Sequence, residues 1–230
     1  MVKTKEISRA PITLRGQLTR QNFSCYGCLK KLDESTAFAD RDPKTDTIRG
    51  LLCMLCKETL TLAEDSPEIL RRLMSYLDYQ IDKTCIYLTG ALKNSRVPEL
   101  GNTLRRLNYD VMDEWFTPGE FADTNWQAYE KQRGRSYQEA LKGRAATNIF
   151  LFDRCYLDHA DIVVCLMPAG KSAMLELGYA KGRGKYTCIL LDGEDPERYD
   201  IMPNFADDVF KTESDLISEL SEHWSNNAQN

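Results

Sequence analysis

Two carboxylates stand among uncharged neighbours, where a solvated acid is not expected. Glu176 lies in SAMLELGYAKG, and no cation occurs at the helical spacings of three and four residues. Asp153 lies in NIFLFDRCYL, and its neighbours at the same spacings are apolar or aromatic. Because burying a charge costs several kcal/mol unless it is partnered, Asp153 indicates a site with a tuned pKa. Glu176 lies where small neighbours leave space beside it. The simpler alternatives are a helix edge for Glu176, where water or a backbone group satisfies it, and pairing with Arg154 or another cation for Asp153.

The loop before Glu176 could hold an anion. Residues 167–172, MPAGKS, follow an apolar segment and open a helix. Free backbone N–H groups and the positive helix end favour phosphate there. Gly170, Lys171 and Ser172 are therefore candidate substrate contacts, and Ser172 either caps the helix or donates to the ligand. The spacing lacks the GxxxxGK[ST] pattern of a Walker loop.

Two cysteine pairs predict a metal site near the N-terminal end. Cys25 and Cys28 form one CxxC pair, and Cys53 and Cys56 form a second pair after 24 intervening residues. Four thiolates complete a tetrahedral site that suits structural zinc. Buried thiols or a redox CxxC are the alternatives. Such a module could contact nucleic acid or protein. The other cysteines, predicted to be buried thiols, are Cys85, Cys155, Cys165 and Cys188.

Composition limits the function classes. The 230 residues carry a net charge of −5, which argues against a whole-protein grip on nucleic acid. No apolar run approaches the ~20 residues that span a bilayer. The basic first twenty residues lack the apolar core of a secretory signal. We expect a cytoplasmic protein without a membrane segment.

Strand and helix patterns alternate after residue 84. Predicted strands cover 85–89, 109–113, 161–168 and 186–192. Predicted helices cover 66–80, 98–107, 172–181 and 212–223, and a mostly helical stretch, 124–158, breaks near Gly143. Apolar strands separated by helices imply a parallel sheet covered on both faces. The prediction is a flavodoxin/Rossmann-like α/β fold preceded by a zinc-binding module. The expected organisation is an arm (1–20), the module (21–62), a linker helix (63–83), the α/β domain (84–222) and a tail (223–230).

Three segments resemble the nucleoside 2-deoxyribosyltransferase family, which includes deoxynucleoside monophosphate N-glycosidases. They are IYLTG, FDxxxLDHADIVV and MPAGKSAMLELGYAKGRGK, within residues 84–222. The resemblance implies that Glu176 is the nucleophile attacking the anomeric carbon. It also implies that Asp153 assists the leaving base or orients the nucleophile, and that Tyr87 orients Glu176. Gly170 departs from the family pattern, in which many members carry an aspartate or serine at that position.

Further substrate contacts are assigned to Gly90 and Asp113, at the ends of two predicted strands, and to Trp115. Trp115, Trp126 and Tyr129 could stack on a base or pack into the core. Arg133 and Arg135 could reach phosphates or form a solvated face.

We therefore expect N-glycosidic bond cleavage or transfer on a nucleoside or nucleotide, including NAD, by a homo-oligomer. The alternatives are a non-catalytic nucleotide sensor and a nucleic-acid-associated protein using the zinc module.

Overall fold

The computed structural model describes residues 13–78, 82–193, 195–196 and 199–224. It divides into two compact units, Met1–Leu70 and Arg71–Asn230. In the part of the chain it describes, none of the helices has the length and apolarity to cross a membrane. Residues 1–12 and 225–230, most of the predicted arm and tail, lie outside the described residues.

The first unit is a small module around a β-hairpin. Its elements are α1 (Leu14–Arg20), β1 (Phe38–Arg41), β2 (Ile48–Leu52) and α2 (Met54–Leu62). The strands pair antiparallel, and a small core contains Leu18, Leu32, Leu51, Leu52 and Cys25. The end of the predicted arm (1–20) therefore belongs to the module, because α1 buries Leu18 completely in this core.

Helix α3 (Pro67–Asp78) corresponds to the predicted linker helix. Ser66 caps it, since its hydroxyl accepts a hydrogen bond from the backbone N–H of Ile69 at 3.3 Å. The end predicted at Gln80 lies outside the described residues. Much of the apolar face of this helix is exposed rather than buried, because the side chains of Leu73, Met74 and Leu77 are more than half exposed.

The second unit contains a five-stranded parallel sheet. Its strands are β3 (Cys85–Thr89), β4 (Asp110–Met112), β5 (Ile162–Leu166), β6 (Tyr186–Leu190) and β7 (Asp208–Phe210). They lie side by side in the order β4-β3-β5-β6-β7, and every neighbouring pair is parallel. This is the flavodoxin-like strand order, so the predicted fold class is confirmed. The sequence patterns did not predict β7, a short strand with mostly exposed residues.

Helices lie between these strands, and one more follows β7. They are α4 (Arg96–Arg106), α5 (Ala122–Gln132), α6 (Tyr137–Leu141), α7 (Arg144–His159), α8 (Lys171–Gly182) and α9 (Glu213–His223). The predicted break near Gly143 is confirmed, because Gly143 is the residue preceding α7. A capping box formed by Ser136 and Glu139 starts α6 separately.

Alternating residues of each strand face opposite layers of helices. One core contains Ile86, Leu88, Val164 and Leu190 and is closed by apolar residues of α4 and α9. The other contains Tyr87, Val163, Cys165 and Ile189 and is closed by residues of α7 and α8. Both faces are therefore covered, as the uniformly apolar strands predict. The layer of α7 and α8 carries Asp153 and Glu176.

Candidate active site and metal centre

Strand β3 presents two polar side chains to the layer of α7 and α8. Tyr87 and Thr89 are two residues apart, so they lie on the same face of the sheet. Tyr87 is 1% and Thr89 is 2% exposed. The backbone of Thr89 is in register with Cys165 of β5. A buried strand thus holds one phenol and one hydroxyl near the carboxyl end of the sheet.

Glu176 lies in the second turn of α8 and is half-buried. Its Oε2 accepts a hydrogen bond of 2.5 Å from the Thr89 hydroxyl. Burial raises the pKa of Glu176, while the bond from Thr89 opposes that rise by stabilising the charged form. Glu176 thus has a specific side-chain partner on β3. In the alternative, water or a backbone group would satisfy a glutamate at the helix edge.

Asp153 lies on the neighbouring helix α7 and is also half-buried. Burial, followed by the negative charge of Glu176, raises the pKa of Asp153 to about 7. Among the described residues, the causes of this shift are burial and the charge of Glu176, and they include no cation. The guanidinium of Arg154 lies over the ring of Phe150, 5.3 Å from its centroid.

Tyr87 is electrostatically coupled to both carboxylates. Burial raises the pKa of its phenol far above the ordinary value, and the charges of Glu176 and Asp153 raise it further. The phenol therefore keeps its proton at neutral pH. The structure brings together the three residues predicted to be catalytic, namely Tyr87, Asp153 and Glu176.

The carboxyl ends of β3 and β5 approach closely beside this group. A Cβ atom on Gly90 would lie 3.2 Å from the carbonyl oxygen of Leu166, so this position favours glycine. The side-chain amide of Asn94 donates to the carbonyl oxygen of Met167 at 3.1 Å and joins the loops that follow the two strands. Strands β3 and β5 flank the point where strand order reverses, and open α/β folds bind ligands there.

The loop before α8 differs in detail from the sequence-based expectation. Gly170, not Ser172, is the residue that precedes the helix, and it makes no side-chain cap. Ser172 is the second helical residue and, like Gly170 and Lys171, it is exposed. The first backbone N–H groups of a helix have no partner within the helix, so this end can still meet an anion.

Asp113 and Trp115 have structural partners. Arg105 binds the buried carboxylate of Asp113 through both guanidinium nitrogens, one of them 3.1 Å from Oδ2. The indole N–H of Trp115 donates to the carbonyl oxygen of Leu88 at 2.7 Å, and the ring packs against both cores. These contacts hold β4 and the following turn, and the substrate role of the two residues stays a prediction.

The aromatic residues of the insert make contacts within it. Trp126 packs edge-to-face on Tyr137 with ring centroids 6.5 Å apart. Tyr129 lies under the guanidinium of Arg133, 5.3 Å from the ring centroid. Arg133 and Arg135 both pair with the buried carboxylate of Glu130, so neither is a fully solvated cation.

The four module cysteines form a cluster that could hold a metal ion. Their sulfur atoms lie within 4.8 Å of one another, and none forms a disulfide. The Sγ atoms of Cys28 and Cys53 are 3.7 Å apart. A tetrahedral site with metal–sulfur bonds of about 2.3 Å would separate its sulfurs by about 3.8 Å, so the donor set fits.

Backbone hydrogen bonds around the four cysteines favour a charged thiolate, which is the form that binds a metal ion. The Sγ of Cys25 accepts backbone N–H bonds from Gly27 at 3.4 Å and Cys53 at 3.3 Å. Burial raises the pKa of the Cys25 thiol, but hydrogen bonds from the backbone of Cys28, Cys53 and Gly27 and from the Cys56 side chain more than offset the effect and bring it to about 6. Helix α2 begins at Met54 rather than near Lys57, and Cys56 therefore lies in its first turn.

Comparison with known proteins gives two findings. A family model described as recombination endonuclease VII matches residues 5–79, about a third of the chain. The cysteine spacing predicted a metal site in this segment, but it did not predict the match to this family model. Among curated proteins, none matches the chain.

The chain is also similar to a solved 2-deoxyribosyltransferase from the psychrotolerant bacterium Bacillus psychrosaccharolyticus. The identity is 18% and the TM-score is 0.39, over 58% of this chain and 90% of that one. A likeness of this degree assigns neither the family nor the reaction.

Thr89 is the site residue that sequence reasoning missed. The sequence feature that could have indicated it is a hydroxyl side chain at the end of an apolar strand, two residues after Tyr87. That position predicts the sheet edge, but only the packing of α8 on β3 brings the hydroxyl to Glu176.

Proposed function

We propose that the α/β unit cleaves or transfers the N-glycosidic bond of a nucleoside or nucleotide. The observation that carries this proposal is the pair Glu176 and Asp153, two half-buried carboxyl groups with raised pKa values beside the carboxyl edge of the sheet. Two carboxyl groups in different environments supply the nucleophile and the acid that glycosidic chemistry requires. The nucleoside as substrate class follows from the sequence resemblance.

In this mechanism Glu176 attacks the anomeric carbon of the sugar as the bond to the base breaks. Asp153 gives its proton to the leaving base, a role suited to an acid whose pKa is about 7. Water then attacks the glycosyl ester in a hydrolase, or a second base attacks it in a transferase. Tyr87, neutral at physiological pH, orients the carboxylates.

The substrate's remaining groups face the loops at the same sheet edge. The N-terminal turn of α8, with Gly170, Lys171 and Ser172, binds a phosphate or sugar hydroxyl. Gly90 follows β3 and packs against Leu166 and Val97, so its assigned substrate contact would be through its backbone. The homo-oligomeric state and the cytoplasmic location stay predictions.

The test is release of free base from a panel of ribo- and deoxyribonucleosides, their monophosphates and NAD, followed by chromatography. Glu176→Gln should lower the rate by about three orders of magnitude or more and leave the circular dichroism spectrum unchanged. The exposed Glu222 on α9 offers a matched control, and Glu222→Gln should retain full activity. Tight binding of a panel member without turnover over hours would favour the sensor alternative, and undiminished activity of Glu176→Gln would exclude the mechanism.

We further propose that the cysteine cluster binds zinc and that the zinc is structural. Four cysteine ligands leave no open position for a substrate. The small core of the module makes metal binding a major source of its folding free energy.

Contact between the module and nucleic acid is a second candidate function, favoured by the family match and by charge. The name recombination endonuclease VII describes nucleic-acid-cleaving proteins. The first 32 residues contain seven Lys or Arg and one Glu, a net charge of +6 against −5 for the whole chain. In the described part of this segment, the cations are the exposed Arg15, Arg20, Lys30 and Lys31.

Local contacts place Lys30 and Lys31 beside the end of α1. The Nζ of Lys31 donates to the carbonyl oxygen of Asn22, just after α1, at 3.3 Å. The N–H of Leu32 donates to the carbonyl oxygen of Phe23 at 2.8 Å. The end of α1 therefore lies beside the turn that carries Lys30 and Lys31, where exposed Phe23 could stack on a base.

We propose contact rather than cleavage. Within the described residues, the four cysteines are the only group of three or more His, Cys, Asp or Glu residues placed to hold a metal ion, and a site of four cysteines is closed to substrate. Both histidines, His159 and His223, lie beyond the matched segment. The module therefore lacks a histidine base for phosphodiester hydrolysis.

Fluorescence anisotropy with single- and double-stranded DNA and RNA oligonucleotides would test this contact. Binding should weaken as salt rises, and the double variant Lys30→Glu/Lys31→Glu should weaken it at least tenfold. Lys44→Glu, at an exposed lysine in the hairpin loop, is the matched control and should have a smaller effect. Affinity unaffected by the double variant would argue against this surface.

A further inference from the structure

Among the described residues, Thr89 makes a short hydrogen bond to Glu176, one of the two candidate catalytic carboxyl groups. Its hydroxyl lies 2.5 Å from Oε2 of Glu176. The hydroxyl donates and the carboxylate accepts, and a bond to a charged acceptor is stronger than one between neutral groups. One oxygen of Glu176 is therefore held by β3, whereas the structure shows no such bond to Oε1 among the described residues.

The strand makes Thr89 a rigid donor. Thr89 is 2% exposed, and its backbone is in register with Cys165 of β5, the central strand of the sheet. A β-branched side chain has restricted rotation about its first side-chain bond, particularly when packed. Since water has little access to this hydroxyl, the bond to Glu176 is not readily exchanged for a bond to solvent.

We propose that Thr89 is a positioning residue that holds Oε2 of Glu176 and directs Oε1 toward the anomeric carbon. This inference rests on the proposed function for its catalytic consequence, but the contact itself can be tested separately. The alternative is a merely structural bond that satisfies a half-buried carboxylate.

The step balances without a proton from Thr89. A lone pair on Oε1 forms the new bond to the anomeric carbon, and the electron pair of the broken C–N bond goes to the base. The proton of Asp153 passes to that base. Thr89 keeps its own proton, and its hydrogen bond orients the carboxylate before the attack.

Thr89→Val removes the donor and keeps the branched shape. It should raise the midpoint at which Glu176 titrates, because the bond favours the charged form. It should also lower kcat roughly 10- to 100-fold, with a smaller effect on KM, the loss expected for one hydrogen bond to a charged group. Thr89→Ser keeps the hydroxyl and should restore both values toward those of the native protein.

A matched control exists in the same sheet. The hydroxyl of buried Thr187 on β6 donates to the carboxylate of Asp207 at 2.9 Å. Thr187→Val therefore also removes a buried threonine bond to a carboxylate. It should alter thermal stability but leave the titration of Glu176 unchanged.

The titration is read by NMR of protein labelled with ¹³C at the glutamate carboxyl carbon, with the Glu176 signal identified by its loss in Glu176→Gln. A raised midpoint in Thr89→Val, restored in Thr89→Ser and absent in Thr187→Val, together with the fall in kcat, supports the proposal. An unchanged midpoint in folded Thr89→Val, or an unchanged kcat, overturns it. If Thr89→Val does not fold, Thr89→Ala supplies the same comparison.

The two failures can be told apart. If the native protein releases no base from any substrate in the panel but the Glu176 midpoint still moves in Thr89→Val, the contact stands, whereas the proposed function and the catalytic role of Thr89 both fall. If base is released through Glu176 but neither kcat nor the midpoint responds to Thr89→Val, the function stands and the positioning role is wrong.

Discussion

The negative charge of Glu176 opposes ionisation of Asp153 on the neighbouring helix. Burial contributes the larger effect, and the two together bring the pKa of Asp153 to about 7. The pKa of Glu176 is also raised by burial, but this residue has the Thr89 hydroxyl as a compensating donor. The two carboxyl groups are thus placed in different environments, and Asp153 holds its proton into the neutral range.

The pH profile of base release should have an alkaline limb near pH 7. Above that value the proposed donor Asp153 loses its proton, so kcat/KM should fall as pH rises. Steady-state kinetics between about pH 4 and pH 9 would measure this. Asp153→Asn should lower the rate by about 100-fold or more and remove the limb. If the limb persists unchanged in that variant, it belongs to another group.

Asp153→Asn should stabilise the fold at alkaline pH. The pKa of Asp153 is higher in the folded chain than the ordinary value of 3.8, so the folded state binds the extra proton between about pH 4 and pH 7. The stability of the native protein therefore falls as pH rises through that window, and the deficit persists above it. We expect the variant to gain on the order of 1–3 kcal/mol at about pH 8 and much less at about pH 4.

Thermal unfolding at the two pH values measures this difference. Asp200→Asn, at an exposed aspartate, is the control and should show little dependence on pH in its effect. An Asp153→Asn variant that is less stable than the native protein at pH 8 would contradict burial as the main cause of the raised pKa.

Gly101 should be intolerant of a side chain. It is buried in α4, and a Cβ atom there would overlap Oδ2 of Asp113 and lie 3.0 Å from Nη1 of Arg105. Gly101→Ala should therefore disturb this pair and destabilise the fold by about 2 kcal/mol, a typical cost of overpacking. Chemical denaturation would measure the change.

Gly178 on α8 is the matched control for that substitution. It is also helical, but a Cβ atom added there would have no described neighbour within 4 Å outside the helix's own backbone. Gly178→Ala should stabilise by up to about 1 kcal/mol through helix propensity. A Gly101→Ala variant as stable as the native protein would show that α4 and β4 adjust readily.

Removing the metal should unfold the cysteine module. Its described core is small, and its four sulfur atoms are close enough to share one ion. A strong chelator, or Cys28→Ser, should abolish protection from hydrogen exchange in β1, β2 and α2, while β3 and β5 stay protected.

Elemental analysis supplies the control for that prediction. The native protein should hold about one zinc ion per chain, and Cys28→Ser should hold much less. Cys155→Ser, at a buried cysteine outside the module, should keep its zinc. Full zinc retention by Cys28→Ser would exclude the four-cysteine site.

The sequence alone predicted the alternation of strands and helices. Buried parallel strands must be apolar throughout, and helices must bury a stripe of apolar residues. It therefore predicted β3, β5 and β6 to within a few residues. The spacing of the four cysteines likewise predicted their cluster, since a tight turn brings each pair together locally. The short exposed strand β7 lacked this apolar signal and was missed.

Contacts between side chains of different elements were decided by the tertiary structure. The sequence placed Asp113 at the end of a strand, and the structure adds that Arg105 of α4 engages its carboxylate. Thr89 and Glu176 are 87 residues apart in the chain, and no local pattern links them. The sequence determined which residues could do chemistry, whereas the packing of α7 and α8 on one face of β3 decided which of them meet. The physical reason is that composition and periodicity report burial, while hydrogen bonds and charge coupling depend on distances set by the whole fold.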